Sequence, residues 1–258
     1  MGKAQDNDFL RYRLREGLRK RSEAERAAGK SDDESLRGYY RARAPEYDDW
    51  YLRRGRYSHG VIADAAWNAE LDTATLWLDA MPLHGEIVEL AAGTGWWSPL
   101  LAQKADHGGL WLYDAVEETL DKARDRLVAH GLAAHIHVRD AWAEPDRPVD
   151  GLFAGFWLSH VPRARIGDFL ALCRRWLKPT GTFVFIDSRS DPESGASDHP
   201  APADDRSTRR TTDGREFTIP KVYWEPAELQ SALHDAGFTS AEVTTTPRFF
   251  LLGRALAA

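Results

Sequence analysis

Residues 86–97, Glu86-Ile-Val-Glu-Leu-Ala-Ala-Gly-Thr-Gly-Trp-Trp97, determine how the rest of the chain is interpreted. Ile87, Val88 and Leu90 form a short apolar run, which is typical of a buried parallel strand. The run ends in Gly93-Thr94-Gly95, after which a helix can begin. Glycines in such a turn let backbone N–H groups approach a ligand at the positive end of the next helix. The stretch therefore predicts a strand, a ligand-binding turn and a helix.

Three details of this stretch narrow the kind of ligand. The dinucleotide fingerprint G-x-G-x-x-G lacks its third glycine, because Ser98 occupies that position. No Lys-Ser or Lys-Thr pair follows the turn, so it is not a phosphate-binding P-loop. An acidic residue, Glu89, lies inside the strand just before the turn. With these features, Glu89-Leu-Ala-Ala-Gly-Thr-Gly95 resembles motif I of the class I S-adenosylmethionine-dependent methyltransferases.

After this stretch the sequence alternates regularly between strand and helix patterns. Further strands are predicted at residues 110–113, 135–138, 151–157 and 182–186. Apolar stripes with helical spacing lie between them, for example Val116, Leu120, Ala123 and Leu127. This alternation predicts a parallel sheet with helices on both faces, connected by right-handed crossovers.

The C-terminal part continues with a helix over residues 226–236 and two strands over 240–246 and 248–254. The methyltransferase class that the chain resembles carries a closing antiparallel hairpin at this place. We therefore expect an α/β fold: a Rossmann-like doubly wound sheet, mostly parallel, with a C-terminal antiparallel hairpin and a helical N-terminal cap. The resemblance covers roughly residues 81–258, and more weakly 38–60.

Residues 1–80 are predicted to form this helical cap, and residues 81–258 the S-adenosylmethionine-binding domain. Leu10, Leu14 and Leu18 recur with the spacing of an amphipathic helix, and a second helix is expected over about 59–80. Residues 38–51 are dense in aromatic side chains. They are interpreted either as a static cap or as a lid in which Tyr47 and Tyr51 close over the cofactor.

A segment of about 187–222 interrupts the alternation and is rich in Ser, Asp, Pro, Thr and Arg. This composition predicts an insertion outside the core, which is either mobile or ordered by a ligand. Within it, residues 218–224 are expected to form a strand or a sheet edge.

Ligands of doubly wound sheets bind at the carboxyl ends of the strands, where this chain places two aspartates. Asp114 ends the second strand and can accept hydrogen bonds from both ribose hydroxyl groups. Asp140 ends the third strand and would accept from the adenine amino group, beside the flat face of Trp142. Each could instead have only a structural role. Asp114 would then be a turn residue, Asp140 a loop residue and Trp142 a buried aromatic residue.

The resemblance implies that the glycine turn holds the methionine part, while Glu89 orders the turn or binds the ammonium group. The predicted cofactor-binding residues are Tyr47, Glu89, Ala91, Gly93, Thr94, Gly95, Trp97, Asp114, Ala115, Asp140, Ala141, Trp142, Phe156 and Trp157. Two indoles after the glycines depart from the family pattern; they could narrow the cofactor channel or pack under the cap.

The predicted catalytic residue is His160, which follows the fourth strand where the resemblance places the transferred methyl group. Phe156 and Trp157 would form an apolar wall near the sulfonium, where cation–π attraction helps. An unprotonated imidazole could accept a proton from a hydroxyl acceptor near neutral pH. The alternative is a histidine that only packs or bonds locally.

Composition excludes several other classes of protein. The net charge of −6 over 258 residues argues against a nucleic-acid partner, which needs a basic face. A single cysteine, no long apolar run and a polar start are compatible with a cytoplasmic protein without membrane association. No histidine pairs with Cys or Glu at metal spacing, so no metal is expected. A monomer or a homodimer is expected.

These observations predict S-adenosylmethionine-dependent methyl transfer to an oxygen or nitrogen of a small molecule, leaving S-adenosylhomocysteine. A relative that binds the same cofactor but catalyses a cyclisation or rearrangement is the first alternative. A non-catalytic binding protein is the second, and a dinucleotide dehydrogenase is the third.

Overall fold

The computed structural model describes residues 29, 31–200 and 203–258. The helix predicted around Leu10, Leu14 and Leu18 lies outside these residues. In the described part, the helices are α1 (31–43), α2 (Tyr47–Tyr51), α3 (Val61–Asp79), α4 (Ser98–Lys104), α5 (Glu117–Ala129), α6 (Ile166–Trp176) and α7 (Pro226–Asp235). The strands are β1 (Ile87–Leu90), β2 (Leu110–Asp114), β3 (His135–Val138), β4 (Val149–Gly155), β5 (Leu177–Ser188), β6 (Arg206–Arg210), β7 (Glu216–Pro220), β8 (Phe238–Thr245) and β9 (Phe250–Ala257).

Seven of the strands form one sheet in the order β3-β2-β1-β4-β5-β9-β8. Neighbours from β3 to β5 run parallel, whereas β9 runs antiparallel to both β5 and β8. The order reverses between β1 and β4, because the chain first builds outward to β3 and then crosses to the other side. The predicted Rossmann-like, mostly parallel sheet with a closing hairpin is therefore confirmed.

Apolar side chains on both faces of the sheet form the core. On one face α6 contributes Trp176 and α7 contributes Leu229, and both are completely buried. On the other face Leu78 of α3 and Leu101 of α4 are equally buried. Each large apolar side chain that leaves water stabilises the fold by about 1.5–3 kcal/mol. Helices on both faces thus hold the strand ends in fixed positions.

The fifth strand begins earlier than the predicted 182–186. Residues 178–181, Lys-Pro-Thr-Gly, have the composition of a turn but lie within β5, whose pairing with β4 shifts register between Val149 and Gly151. Thr180 has a φ of 64° there, which is a conformation expected of a turn. The turn signal in the sequence therefore corresponds to an irregularity inside a longer strand.

The expectation that the inserted segment lies outside the core is wrong for part of it, because some of its residues are buried. β6 and β7 pair as a separate two-stranded antiparallel sheet. Ile219 is 1% exposed and packs with Leu36 and Tyr39 of α1, and Val222 is completely buried. The polar composition of the segment conceals these apolar positions, because their packing partners come from the N-terminal helices.

The N-terminal helices form the expected cap, which packs against the carboxyl ends of the strands. The indole Nε1 of Trp67 in α3 donates to the carbonyl of Tyr51, at 3.0 Å. Asp48 of α2 accepts from the hydroxyl of Thr94 at 2.6 Å and from Arg126 at 2.5 Å. These contacts hold α2 against the glycine turn. None of the described helices is long and apolar enough to span a membrane.

Candidate cofactor and acceptor site

A cavity with an empty volume of about 610 Å³ opens at the carboxyl ends of β1, β2 and β4, and we call it the first chamber. Ten of the predicted site residues line it: Tyr47, Ala91, Gly93, Asp114, Ala115, Asp140, Ala141, Phe156, Trp157 and His160. Asp33 and Arg37 of α1 also line it, so carboxylates outnumber basic groups. This charge suits a cationic ligand such as S-adenosylmethionine.

Asp114 is placed by two backbone hydrogen bonds at the end of β2. The N–H groups of Gly93 and Val116 each donate to one of its carboxylate oxygens, both at 2.8 Å. Burial raises the pKa of Asp114 to about 6, although these bonds oppose the shift. A carboxylate offers about four acceptor positions, so Asp114 can still accept from both hydroxyls of a ribose.

Asp140 has both carboxylate oxygens in contact with the protein. One oxygen accepts from the N–H of Trp142 at 2.7 Å, and the other lies 2.5 Å from the guanidinium of Arg37. Arg37 belongs to α1, so this ion pair brings the N-terminal helix over the first chamber. An adenine amino group would share the carboxylate with Arg37.

The turn after β1 depends on backbone conformations with positive φ. Ala91, Gly93 and Gly95 have φ values of 51°, 55° and 70°. A Cβ at Gly95 would lie 2.7 Å from the Cβ of Ala123 in α5, so this glycine is required by packing. Gly93 lines the first chamber, whereas Gly95 does not. The two glycines of the motif therefore have different roles.

Glu89 acts behind the turn, because it lies outside the lining of the first chamber. It is 1% exposed and accepts from the hydroxyl of Ser98, at 2.6 Å. Burial raises its pKa to about 8. Ser98 begins α4, so the bond ties the strand to the helix that follows the turn. Of the two roles considered for Glu89, ordering of the turn is the one that fits this position, and it stays a prediction.

Three further predicted cofactor residues also lie outside the lining of the first chamber. The hydroxyl of Thr94 donates to Asp48, as described above. Trp97 packs against Gly155, where an added Cβ would lie 2.9 Å from the indole. Trp142 meets Phe169 edge to face, with ring centroids 5.0 Å apart. These side chains support the walls of the chamber.

Trp157 and Phe156 follow β4 and do face the first chamber. The indole Nε1 of Trp157 is buried and has no hydrogen-bond partner among the described residues. Phe156 has a φ of 56°, which is uncommon for a bulky residue and typical of functional sites.

A second chamber, with an empty volume of about 520 Å³, lies beneath the cap. It shares Tyr40, Tyr47, Phe156 and His160 with the first chamber. Tyr51, predicted to close over the cofactor, lines neither chamber. It stacks on Trp96, with ring centroids 4.1 Å apart and an interplanar angle of 1°. The four shared residues form the boundary between the two chambers.

His160 is held by hydrogen bonds at both ring nitrogens. Nδ1 lies 2.8 Å from the carbonyl oxygen of Pro220, and Nε2 lies 2.6 Å from the hydroxyl of Tyr40. A carbonyl can only accept, so Nδ1 carries the proton and Nε2 accepts from Tyr40. Burial, and next the positive charge of Lys221, hold the pKa of His160 well below its usual value. The ring is therefore neutral near pH 7.

Sequence analysis missed several residues of the two chambers. Arg37, Tyr40 and Arg43 lie in or beside the aromatic-rich segment, and that segment was the only signal for them. Arg209 and Lys221 come from the insertion, where nothing in the local pattern marks them. No group of three or more His, Cys, Asp or Glu side chains within residues 31–200 and 203–258 could hold a metal ion.

Comparisons with known proteins agree with this geometry. A family model described as a methyltransferase domain matches residues 87–181. The solved structure of DhpI with SAH is 32% identical, covers 86% of this chain and 95% of the DhpI chain, and has a TM-score of 0.65. A complex of DhpI with SAM and HEP is 31% identical, covers 87% and 97%, and has a TM-score of 0.67.

The magnesium protoporphyrin IX methyltransferase ChlM from Synechocystis PCC 6803, solved with bound SAM, shares the fold. It is 15% identical, with a TM-score of 0.58, and the alignment covers 88% of this chain and 97% of ChlM. No curated protein matches the chain.

Proposed function

The chain belongs to the family of S-adenosylmethionine (SAM)-dependent methyltransferases, and we propose that its acceptor is a small molecule, methylated on oxygen or nitrogen. The product of the cofactor is S-adenosylhomocysteine (SAH). The observation that carries the proposal is the boundary between the two chambers, formed by Tyr40, Tyr47, Phe156 and His160. With a cofactor on one side of this boundary and a small acceptor on the other, the methyl group would be transferred across it.

In the first chamber, the residues of this chain would bind and orient the cofactor. SAM supplies a methyl group on a positively charged sulfur, which is already activated for in-line displacement. Asp114 would hold the ribose hydroxyls, and Asp140, which also accepts from Arg37, would accept from the adenine amino group. The rings of Tyr47 and Phe156 would stabilise the sulfonium through cation–π attraction. Positioning of the two reactants supplies much of the lowering of the barrier.

At the boundary, His160 and Tyr40 would manage the proton of a hydroxyl acceptor. The acceptor oxygen uses a lone pair to form the bond to the methyl carbon, and the carbon–sulfur bond breaks with its electron pair passing to sulfur. The acceptor proton passes to the Tyr40 oxygen, while the Tyr40 proton moves to Nε2 of His160. Imidazolium formation is supported by the Pro220 carbonyl, which stays bonded to Nδ1. A neutral amine or an ionised oxygen would need no such transfer before attack.

The assignment of the second chamber to the acceptor draws support from one relative. The DhpI complex contains HEP together with SAM. A ternary arrangement of cofactor and second ligand is therefore compatible with this fold. The expected absence of nucleic acid and the expected monomer or homodimer stay predictions.

The proposal is tested by incubating the enzyme with SAM carrying a labelled methyl group and a panel of small acceptors. Mass spectrometry should detect SAH and a product that gains one labelled methyl group. A product of unchanged mass would instead support rearrangement chemistry, and binding of SAH without any product would support a non-catalytic binding protein. A variant with Asp114→Ala serves as the control, because it should lose product formation through weak cofactor binding.

A further inference from the structure

The second chamber has an unusual charge for a buried space. Three basic side chains, Arg43, Arg209 and Lys221, line it, together with tyrosine and serine hydroxyls. No aspartate or glutamate is among its lining residues in the described part of the chain. The first chamber is acidic, so the two adjacent spaces have opposite electrostatic character. This difference would favour a cationic cofactor in the first chamber and an anionic acceptor in the second.

Arg43 is a buried cation without a counter-ion among the residues that the structure describes. Its side chain comes from the end of α1 and is 8% exposed. The guanidinium carbon lies 4.7 Å from the ring centre of Tyr47 and 5.4 Å from that of Tyr57. Its Nε is buried without a hydrogen-bond partner, and it forms no ion pair with any described carboxylate. Burial of an unpaired charge is costly, so such a group indicates a missing anion.

Lys221 is the second buried cation, and it is 6% exposed. Its ammonium group donates to the hydroxyls of Ser159 at 2.9 Å and Ser188 at 3.1 Å. An ammonium has three donors, so one donor remains. Asp187 is the nearby carboxylate, and its oxygens accept from the backbone N–H groups of Ser159 and Ser188. Burial lowers the pKa of Lys221 to about 8, and Arg209 and Arg43 contribute in the same direction.

Arg209, in β6, is the third basic residue that lines the second chamber. Its guanidinium lies 2.9 Å from Nδ1 of His199, which is a neutral partner. The next residue, Arg210, points to the other side of the hairpin and forms an ion pair with Glu216. Arg210 is therefore neutralised by a carboxylate of the protein, whereas no described carboxylate pairs with Arg209.

We propose that the second chamber binds a doubly charged oxyanion group of the acceptor, of the phosphoryl or phosphonyl class, through Arg43, Arg209 and Lys221. The inference rests on the proposed function, since the molecule that carries this group is the one that receives the methyl group. Three cations and the carboxylate of Asp187 leave two positive charges, which a dianion neutralises and a monocarboxylate does not. A tetrahedral group also presents three terminal oxygens, one for each cation.

Calorimetric titration of the SAH-saturated protein with inorganic phosphate, methylphosphonate and acetate tests this assignment. At about pH 7.5 and constant ionic strength, we expect phosphate and methylphosphonate to bind at least tenfold more tightly than acetate. Lys221→Met and Arg209→Gln should each weaken phosphate binding about tenfold or more. The matched control, Arg210→Gln, should leave phosphate binding unchanged, because its guanidinium lies outside the chamber.

SAH affinity, measured for every variant, reports whether the first chamber is intact and separates the two proposals. Normal SAH binding with phosphate no tighter than acetate would overturn the anion site and leave the methyltransferase assignment standing. The same conclusion would follow if both variants bound phosphate as the wild type does. Loss of SAH binding in the wild type itself would count against the proposed cofactor chamber, and phosphate binding can then be measured without SAH.

Discussion

Two carboxyl groups, Asp114 in the lining of the first chamber and Glu89 behind it, differ in their ionisation near neutral pH. Asp114 accepts two backbone N–H groups, which oppose the effect of burial, and its pKa is raised only to about 6. Glu89 accepts, within the described part of the chain, from the hydroxyl of Ser98 alone, and its pKa is raised to about 8. At pH 7 Asp114 is therefore mostly ionised and Glu89 mostly protonated. One residue can bind a diol, whereas the other serves as a neutral link inside the fold.

Asp114→Ala should weaken SAM and SAH binding, expected to be micromolar in the wild type, by roughly 1–3 kcal/mol, through lost charge-assisted hydrogen bonds. The wild type should also bind SAH about tenfold more weakly near pH 5 than above pH 7, because protonation of Asp114 removes its negative charge and turns one acceptor oxygen into a donor. Affinity is thus present above the pKa and lost as pH falls through it. Calorimetry measures both effects, and unchanged affinity in the variant would remove Asp114 from the ribose site.

Glu89→Gln should be well tolerated at neutral pH, because the amide resembles the protonated carboxyl group. The folded-state pKa is raised, so the stability that Glu89 contributes is complete below its usual value of 4.5 and lost as pH rises to about 8. Relative to the wild type, the variant should gain on the order of 1–3 kcal/mol between about pH 6 and 8. Urea unfolding at several pH values measures this. Glu86→Gln is the exposed control, and parallel pH profiles for wild type and Glu89→Gln would contradict the assignment.

His160→Ala should lower kcat by roughly 10²–10⁴-fold if the acceptor is a hydroxyl group, while cofactor affinity is retained. Loss of the imidazole removes the base that accepts the Tyr40 proton. Steady-state kinetics with the acceptor found in the panel provide the measurement. A near-normal kcat with an unchanged pH profile would exclude the base role and indicate an acceptor that is a neutral amine or an ionised oxygen.

At the scale of elements, the contacts of α1 and α2 decide how the cap closes the site. α1 reaches the first chamber through Arg37 and the second through Arg43. α2 is tied to the glycine turn by Asp48, which bonds both Thr94 and Arg126. Tyr47 lines both chambers, whereas Tyr51 packs on Trp96. Single substitutions at polar residues such as Arg37 and Asp48 can therefore weaken individual contacts between the cap and the site.

Hydrogen exchange should show residues 38–60 more protected when SAH is bound, because the cap closes over an occupied chamber. Asp48→Asn should increase exchange in α2, since it weakens the bonds to Thr94 and Arg126. Asp49→Asn is the matched control, because no side-chain hydrogen bond of Asp49 occurs among the described residues. Equal exchange with and without SAH would identify a static cap.

At the scale of the whole molecule, sequence analysis succeeded where structure follows from local pattern. The strand ends at Asp114 and Asp140 were predictable, because parallel strands bring their carboxyl ends to one edge of the sheet. Arg43 and Lys221 were not predictable, because they are far apart in the chain and meet only after the cap packs on the insertion. The same packing explains the error about the insertion, whose buried Ile219 has its partners in α1.

The position of the basic residues outside the seven-stranded sheet has a consequence for evolution. Arg43 comes from the cap, Arg209 from the small hairpin and Lys221 from the segment after it. None of the three belongs to the seven-stranded sheet or hydrogen-bonds to Asp114 among the described residues. Preference for a new class of acceptor could therefore arise by a few substitutions in the added segments, with the inherited cofactor machinery kept at full strength.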